Sequence, residues 1–149
     1  MKPSLLRRLR CDRGSNLLEA AITIPLLLLL SVAIFEFGRA FQTWEVVTNA
    51  AREGARVAVL PSSTQAGTEA RTRAYLDAGA LDGSSASVAV TTTTIALGTG
   101  NVSGSQVTVN YPFQFMVLQP VASLIVRGTT MGAPITMSAS AEMRNESPF

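Results

Sequence analysis

RGSNLLEAAITIPLLLLLSVAIFEFGR, residues 13–39, is the stretch from which the fold can be read. Between residues 17 and 37 only Glu19, Thr23, Pro25, Ser31 and Glu36 interrupt an apolar run. At about 1.5 Å per helical residue, roughly 20 residues cross a hydrocarbon core of about 30 Å, so residues 15–38 suffice for a transmembrane helix. Pro25 removes one backbone hydrogen bond and is expected to bend or loosen that helix. Glu19 lies near the start of the run. An acid at the centre of a membrane helix costs roughly 2.5–3.5 kcal/mol on insertion scales, which makes this carboxylate the first candidate for a functional residue.

Upstream of the run, Lys2, Arg7, Arg8, Arg10 and Arg13 face only Asp12, while the rest of the chain is slightly acidic. A basic cluster beside an apolar helix predicts an N-terminus held in the cytoplasm. Nucleic-acid binding is not expected, because no basic or aromatic patch recurs downstream. Cys11, the only cysteine, lies in this leader, so no disulfide can form within the chain, and Leu9 and Arg10 before it do not suit a lipoprotein site.

Downstream, residues 35–60 contain no proline and only Gly38 and Gly54 as breakers, and their pattern turns amphipathic. Val47, Ala50, Ala51, Gly54 and Ala58 share one helical face; Glu45, Asn49, Arg52 and Arg56 share another. The membrane helix is therefore expected to continue outward as one stalk. Ala50, Gly54 and Ala58, with Ala51 and Ala55 beside them, form a stripe of small residues that lets another backbone approach closely, either a second subunit or the chain's own sheet.

Pro61 ends the stalk near Leu60. Ser63 or Thr64 can cap a second helix running to about Asp77, with Ala66, Ala70, Ala74 and Tyr75 on its apolar side and Gly79 and Gly83 closing it. Beyond Ser84, Val, Thr and Ser in short alternations favour three antiparallel strands. Val88 and Val90 mark the first, Val107, Val109 and Tyr111 the second, and Ile135, Met137, Ala139, Ala141 and Met143 the third. A glycine-rich turn with Gly98, Gly100 and Gly104 joins the first two. Residues 113–126 are apolar but hold Pro112 and Pro120 at or near them, and predict a short helix or irregular connection lying over the sheet, too short for a second span. The expectation is an α+β chain: a leader (1–14), a transmembrane helix (15–38), its amphipathic continuation (39–60) and an extracytoplasmic α+β domain (61–149).

Much catalytic chemistry is missing. There is no histidine, and the only lysine is Lys2. No Ser-His-Asp, Cys-His or outer-domain Ser-Lys arrangement and no His/Cys metal cluster can be assembled. Glu69, Asp77, Asp82, Glu142 and Glu146 show no motif. Gly98, Gly100 and Gly104 have no following lysine and read as a turn rather than a phosphate loop. The threonines at positions 91–94 read as an exposed strand. Asn101-Val102-Ser103 and Asn145-Glu146-Ser147 match the short glycosylation pattern. No enzyme activity, cofactor, metal or small-molecule substrate is expected.

Three readings of the N-terminal stretch remain: a plain signal anchor, a secretory signal peptide cut after Ser31-Val32-Ala33, and a prepilin-type leader. The first two would make the chain an exported adhesive or structural domain. For the third, Arg13-Gly14 followed by Ser15-Asn16-Leu17-Leu18-Glu19 resembles the processing site of type IV pilins and pseudopilins, although Ser15 stands where phenylalanine or methionine is usual. The series Glu19-Ala20-Ala21, Pro25-Leu26-Leu27-Leu28, Glu36-Phe37-Gly38-Arg39 and Ala51-Arg52-Glu53-Gly54-Ala55-Arg56 resembles the TadE-like family, and Ala139-Ser140-Ala141-Glu142-Met143-Arg144 resembles that family's terminal strand. The resemblance implies a pilin-like fold and a membrane-anchored pseudopilin or minor pilin of the tight-adherence (Tad/Flp) pilus. It implies a prepilin peptidase cutting between Gly14 and Ser15. Its implied partners are other pilins and pseudopilins, including a TadF-like protein and the major Flp pilin. The freed Ser15 amine, with an ordinary pKa near 7.7, could pair with Glu19 of a neighbouring helix and fix axial register.

Overall fold

The computed structural model describes residues 12–98, 100–125, 128, 130 and 132–146. Residues 1–11, with Cys11 and most of the basic cluster, lie outside the described residues, as do Arg127 and Ser147.

One helix, α1 (Asp12–Ala58), carries both the apolar run and its amphipathic continuation. It is about 70 Å long at 1.5 Å per residue. Pro25 lies inside it without ending it. Ser31, at the alternative cleavage site, is helical too, and its hydroxyl donates to the Leu27 carbonyl at 2.8 Å. The helix stops before Pro61, where the Ser63 hydroxyl donates to the freed Ala58 carbonyl at 2.9 Å. Thr64 caps α2 (Gln65–Ala78) by accepting the Gly67 N–H at 3.1 Å.

A three-stranded antiparallel sheet follows in the order β1-β2-β3: β1 (Ser87–Leu97), β2 (Gly100–Phe113) and β3 (Ile135–Arg144). The chain is thus α+β, with a short helix, α3 (Leu118–Ile125), between the last two strands. The threonines at 91–94 lie in β1 opposite residues 103–106, with Thr91, Thr92 and Thr94 exposed.

The core forms where the small-residue stripe of α1 lies on the sheet. Val47, Ala50, Ala51 and Ala55 are fully buried against Val107, Val109 and Ala139, and Leu76 of α2 completes the cluster. The stripe is therefore covered by the chain's own domain. Gly54 shows why small residues are needed. A Cβ there would collide with the Thr72 hydroxyl of α2 and sit 3.0 Å from Val107 Cγ1 of β2.

Four local expectations change. The buried face of α2 is Thr68, Thr72 and Leu76, while Ala66, Ala70, Ala74 and Tyr75 are exposed. The Thr72 hydroxyl donates to the Thr68 carbonyl at 2.8 Å, so a polar side chain can be buried at this close helix contact. At the end of α2 the left-handed residue is Ala80 (φ 60°), not a glycine. Gly79 and Gly83 serve close approach instead: a Cβ on the first would collide with Val46, and on the second would lie 2.6 Å from the Arg73 carbonyl. The β1–β2 turn is tighter than predicted, since Gly100 opens β2 and Gly104 is a buried strand residue opposite Thr93. Finally, α3 lies beside α1 rather than over the sheet.

Gly54→Ala should destabilise the α+β domain by up to about 2 kcal/mol, an overpacking cost of about 1–3 kcal/mol less about 1 kcal/mol of helix propensity. Ala80→Gly should stabilise it by up to about 1 kcal/mol by relieving the left-handed alanine. Thermal unfolding of the full chain in detergent checks both signs.

Candidate functional site at the helix–sheet junction

The N-terminal half of α1 stands bare. Leu17, Leu18, Ile22, Ile24 and Leu26–Leu30 are all about half to three-quarters exposed. Among the described residues this is the one helix long and apolar enough to cross a membrane, and it is compatible with a single-pass anchor. Gly14 and Ser15 are exposed in its first turns, and nothing lies within 4 Å of where a Gly14 Cβ would be. Glu19 is exposed and has no partner among the described residues. It follows Ser15 by four positions, so the two share one helix face.

Glu36 is different. It is only 1% exposed, and both of its oxygens are engaged. The Val117 N–H donates to Oε1 at 2.6 Å, and Arg39 Nη1 donates to Oε2 at 2.9 Å. Val117 directly precedes α3, so the carboxylate meets one of the free N–H groups at that helix start and the positive end of its dipole. Arg39 is held in turn by Phe113, the last residue of β2, whose ring centroid lies 5.4 Å from the guanidinium carbon. Phe113 itself packs edge-on to Phe115 at 5.2 Å. Helix, sheet and α3 therefore meet at one buried acid.

The helical period explains how the quoted motifs divide. Within Glu36-Phe37-Gly38-Arg39, the two charged residues lie three apart and turn inward, while Phe37 is 66% exposed and Gly38 faces open space. In the second block, Ala51, Gly54 and Ala55 are buried and Arg52 and Arg56 are exposed. Glu53 reaches sideways to Arg71 of α2 at 3.0 Å, tying the two helices at the surface. Ala50 is fully buried, Ala58 is half-buried, and Pro25 lines a hollow facing α3. No group of three or more metal-binding side chains is found among the described residues.

The motif that holds Glu36 and Arg39 does not encode their contacts, and no motif marks Phe113, Phe115 or Val117. The available signal was the one used for Glu19: Glu36 is a second acid in the same apolar run, with a cation three residues on.

A protein-family model described as TadE-like protein matches residues 14–56. The match is to the family that the motifs resemble, and it ends inside α1, two residues before the helix does. No curated protein and no solved structure matches the chain.

Glu36→Ala should leave the Val117 N–H and Arg39 without their acceptor. A hydrogen bond to a charged group contributes about 1.5–3 kcal/mol, so amide exchange at residues 116–119 and 121 should quicken by roughly 10- to 100-fold. Glu36→Gln, which keeps an acceptor, should show a smaller change. Exchange unaltered in both variants would mean that the carboxylate does not hold α3.

Proposed function

We propose that this chain is a TadE-like pseudopilin or minor pilin, a non-catalytic component of Tad (Flp, type IVb/IVc) pilus assembly. It sits in the bacterial cytoplasmic membrane by residues 15–38, N-terminus inside and outer domain outside. The observation that carries this reading is the division of α1. The family match falls on a single continuous helix whose second half is covered by its own domain and whose first half is left bare. A plain anchor needs the bare half only for lipid. An assembly component needs it also for the helices of other subunits.

The mechanism follows from the ends of that bare half. A prepilin peptidase cutting after Gly14 would free the Ser15 amine, largely cationic near neutral pH. In a bundle of interchangeable apolar helices, that amine and the Glu19 carboxylate of a neighbour form the one strong axial marker. Leaving either charge unpaired in a dry site costs several kcal/mol, so the register with every pair satisfied is favoured. Because Ala50, Ala51 and Gly54 are already covered, the contacts to other pilins belong to residues 15–35. The partners are the major pilin and other pseudopilins of the same machinery, including a TadF-like protein.

Mass measurement of the mature chain tests the processing step. A start at Ser15 is expected; a start at Ile34 would indicate a signal peptide, and an intact leader an uncut anchor. Glu19→Ala should leave membrane insertion unchanged while reducing pilus assembly or recruitment of partner pilins. Normal piliation by that variant would overturn the register mechanism.

A further inference from the structure

The position of α3 along α1 has a consequence for the bilayer. The helix starts at the level of Glu36, where Val117 is held, and its Leu118 and Val121 face Pro25, Leu28, Leu29, Val32 and Ala33 of α1 across an apolar hollow of about 400 Å³. Those α1 residues belong to the segment apolar enough to cross a membrane. At 1.5 Å per residue, Pro25 lies about 16 Å from Glu36 along the axis, about half of a hydrocarbon core of about 30 Å. A helix lying beside this part of α1 shares its depth.

The sequence of α3, LQPVASLI, carries no charge, and Met116 just before it is 64% exposed. At eight residues it is too short to span, so it must leave on the side by which it entered. Backbone at membrane depth must have its polar groups met within the protein. Here the entry is met by Glu36. The exit packs on the entry: Gly132, at φ 74°, lies so close that a Cβ on it would sit 2.7 Å from the Gln119 nitrogen. Arg39, Phe41 and Trp44 follow farther out along α1, where a cation and exposed aromatic rings suit the headgroup region.

We propose that α3 is seated in the outer leaflet beside α1, with lipid acyl chains filling the hollow between them. The outer domain is then held to the bilayer by two elements, α1 and a re-entrant helix clasped by Glu36. The proposal rests on the reading that residues 15–38 span the membrane with the N-terminus inside.

The test uses the full chain with Cys11→Ser and single cysteines at Val121, Leu29 or Gln65, each labelled with an environment-sensitive fluorophore. The labelled proteins are reconstituted in phosphatidylethanolamine–phosphatidylglycerol vesicles with and without lipids spin-labelled at mid-chain. The Val121 probe should be quenched by spin-labelled lipid about as much as the Leu29 probe and severalfold more than the Gln65 probe, and should resist aqueous iodide. A Val121 probe open to iodide while the Leu29 probe is in lipid would overturn the seating of α3 and leave the span intact. A Leu29 probe open to iodide would overturn both. A Val121 probe shielded from iodide and from spin-labelled lipid alike would mean that protein, such as a second copy's helix, fills the hollow, and would overturn the lipid assignment. A label at Leu118 repeats the measurement should labelling at Val121 lower the helical circular dichroism.

Discussion

A carboxylate almost fully removed from solvent must have its oxygens met, and the arrangement of this protein turns on how Glu36 meets that demand. One oxygen takes the N–H that opens α3, and the other takes the Arg39 guanidinium, which in turn leans on the end of β2. Removing any partner would leave a buried charge uncompensated, a cost of several kcal/mol rather than the modest value of a surface pair. One acid therefore fixes three elements relative to one another: the long helix, the sheet's end and the α3 lobe. Its position one-quarter of the way along the chain lets a local helix residue organise a contact made 81 residues later.

The small-residue stripe divides α1 in a complementary way. Where side chains shrink to Ala and Gly, the sheet and α2 close directly on one face of the helix, over residues 47–55. Where side chains are Leu and Ile, nothing of the domain among the described residues reaches across apart from Leu118 and Val121 of α3. The same helix is thus core on one half and surface on the other. The Glu36–Arg39 pair stands close to the boundary between them.

Much of this division is legible in the sequence because it is periodic. The apolar run, the inward stripe from Val47 to Ala58, the outward Glu45, Asn49, Arg52 and Arg56 and the alternating strands all follow from local spacing, and the structure agrees; of the two candidate caps, Ser63 and Thr64, it uses Thr64. What is not legible depends on contacts that spacing does not encode. The alanines of α2 look like its buried face, but the close approach of Gly54 brings Thr72 inward, and its hydroxyl is satisfied by a carbonyl one turn back. Residues 113–126 are plainly apolar, yet it takes the long-range bond from Val117 to Glu36, with Leu118 and Val121 packed toward α1, to place α3 beside α1 instead of over the sheet. The exposed environment of Glu19 is that of a lone chain. The register role proposed for it needs the amine of a neighbouring helix.

The sheet closes back on the stalk at its last strand. The Glu146 N–H donates to the Val59 carbonyl at 3.1 Å, and the Asn145 side chain bridges to Ser103 and Ser105 of β2. The stripe on α1 is thus covered partly by β3, a strand made long after the helix. At about 5–20 residues per second, the roughly 80 residues between them take several seconds to synthesise. Over that interval α2, β1 and β2 emerge and can cover their share of the stripe, while the part packed on Ala139 of β3 stays open. The last strand of the sheet is therefore the one that completes the burial of the helix made first.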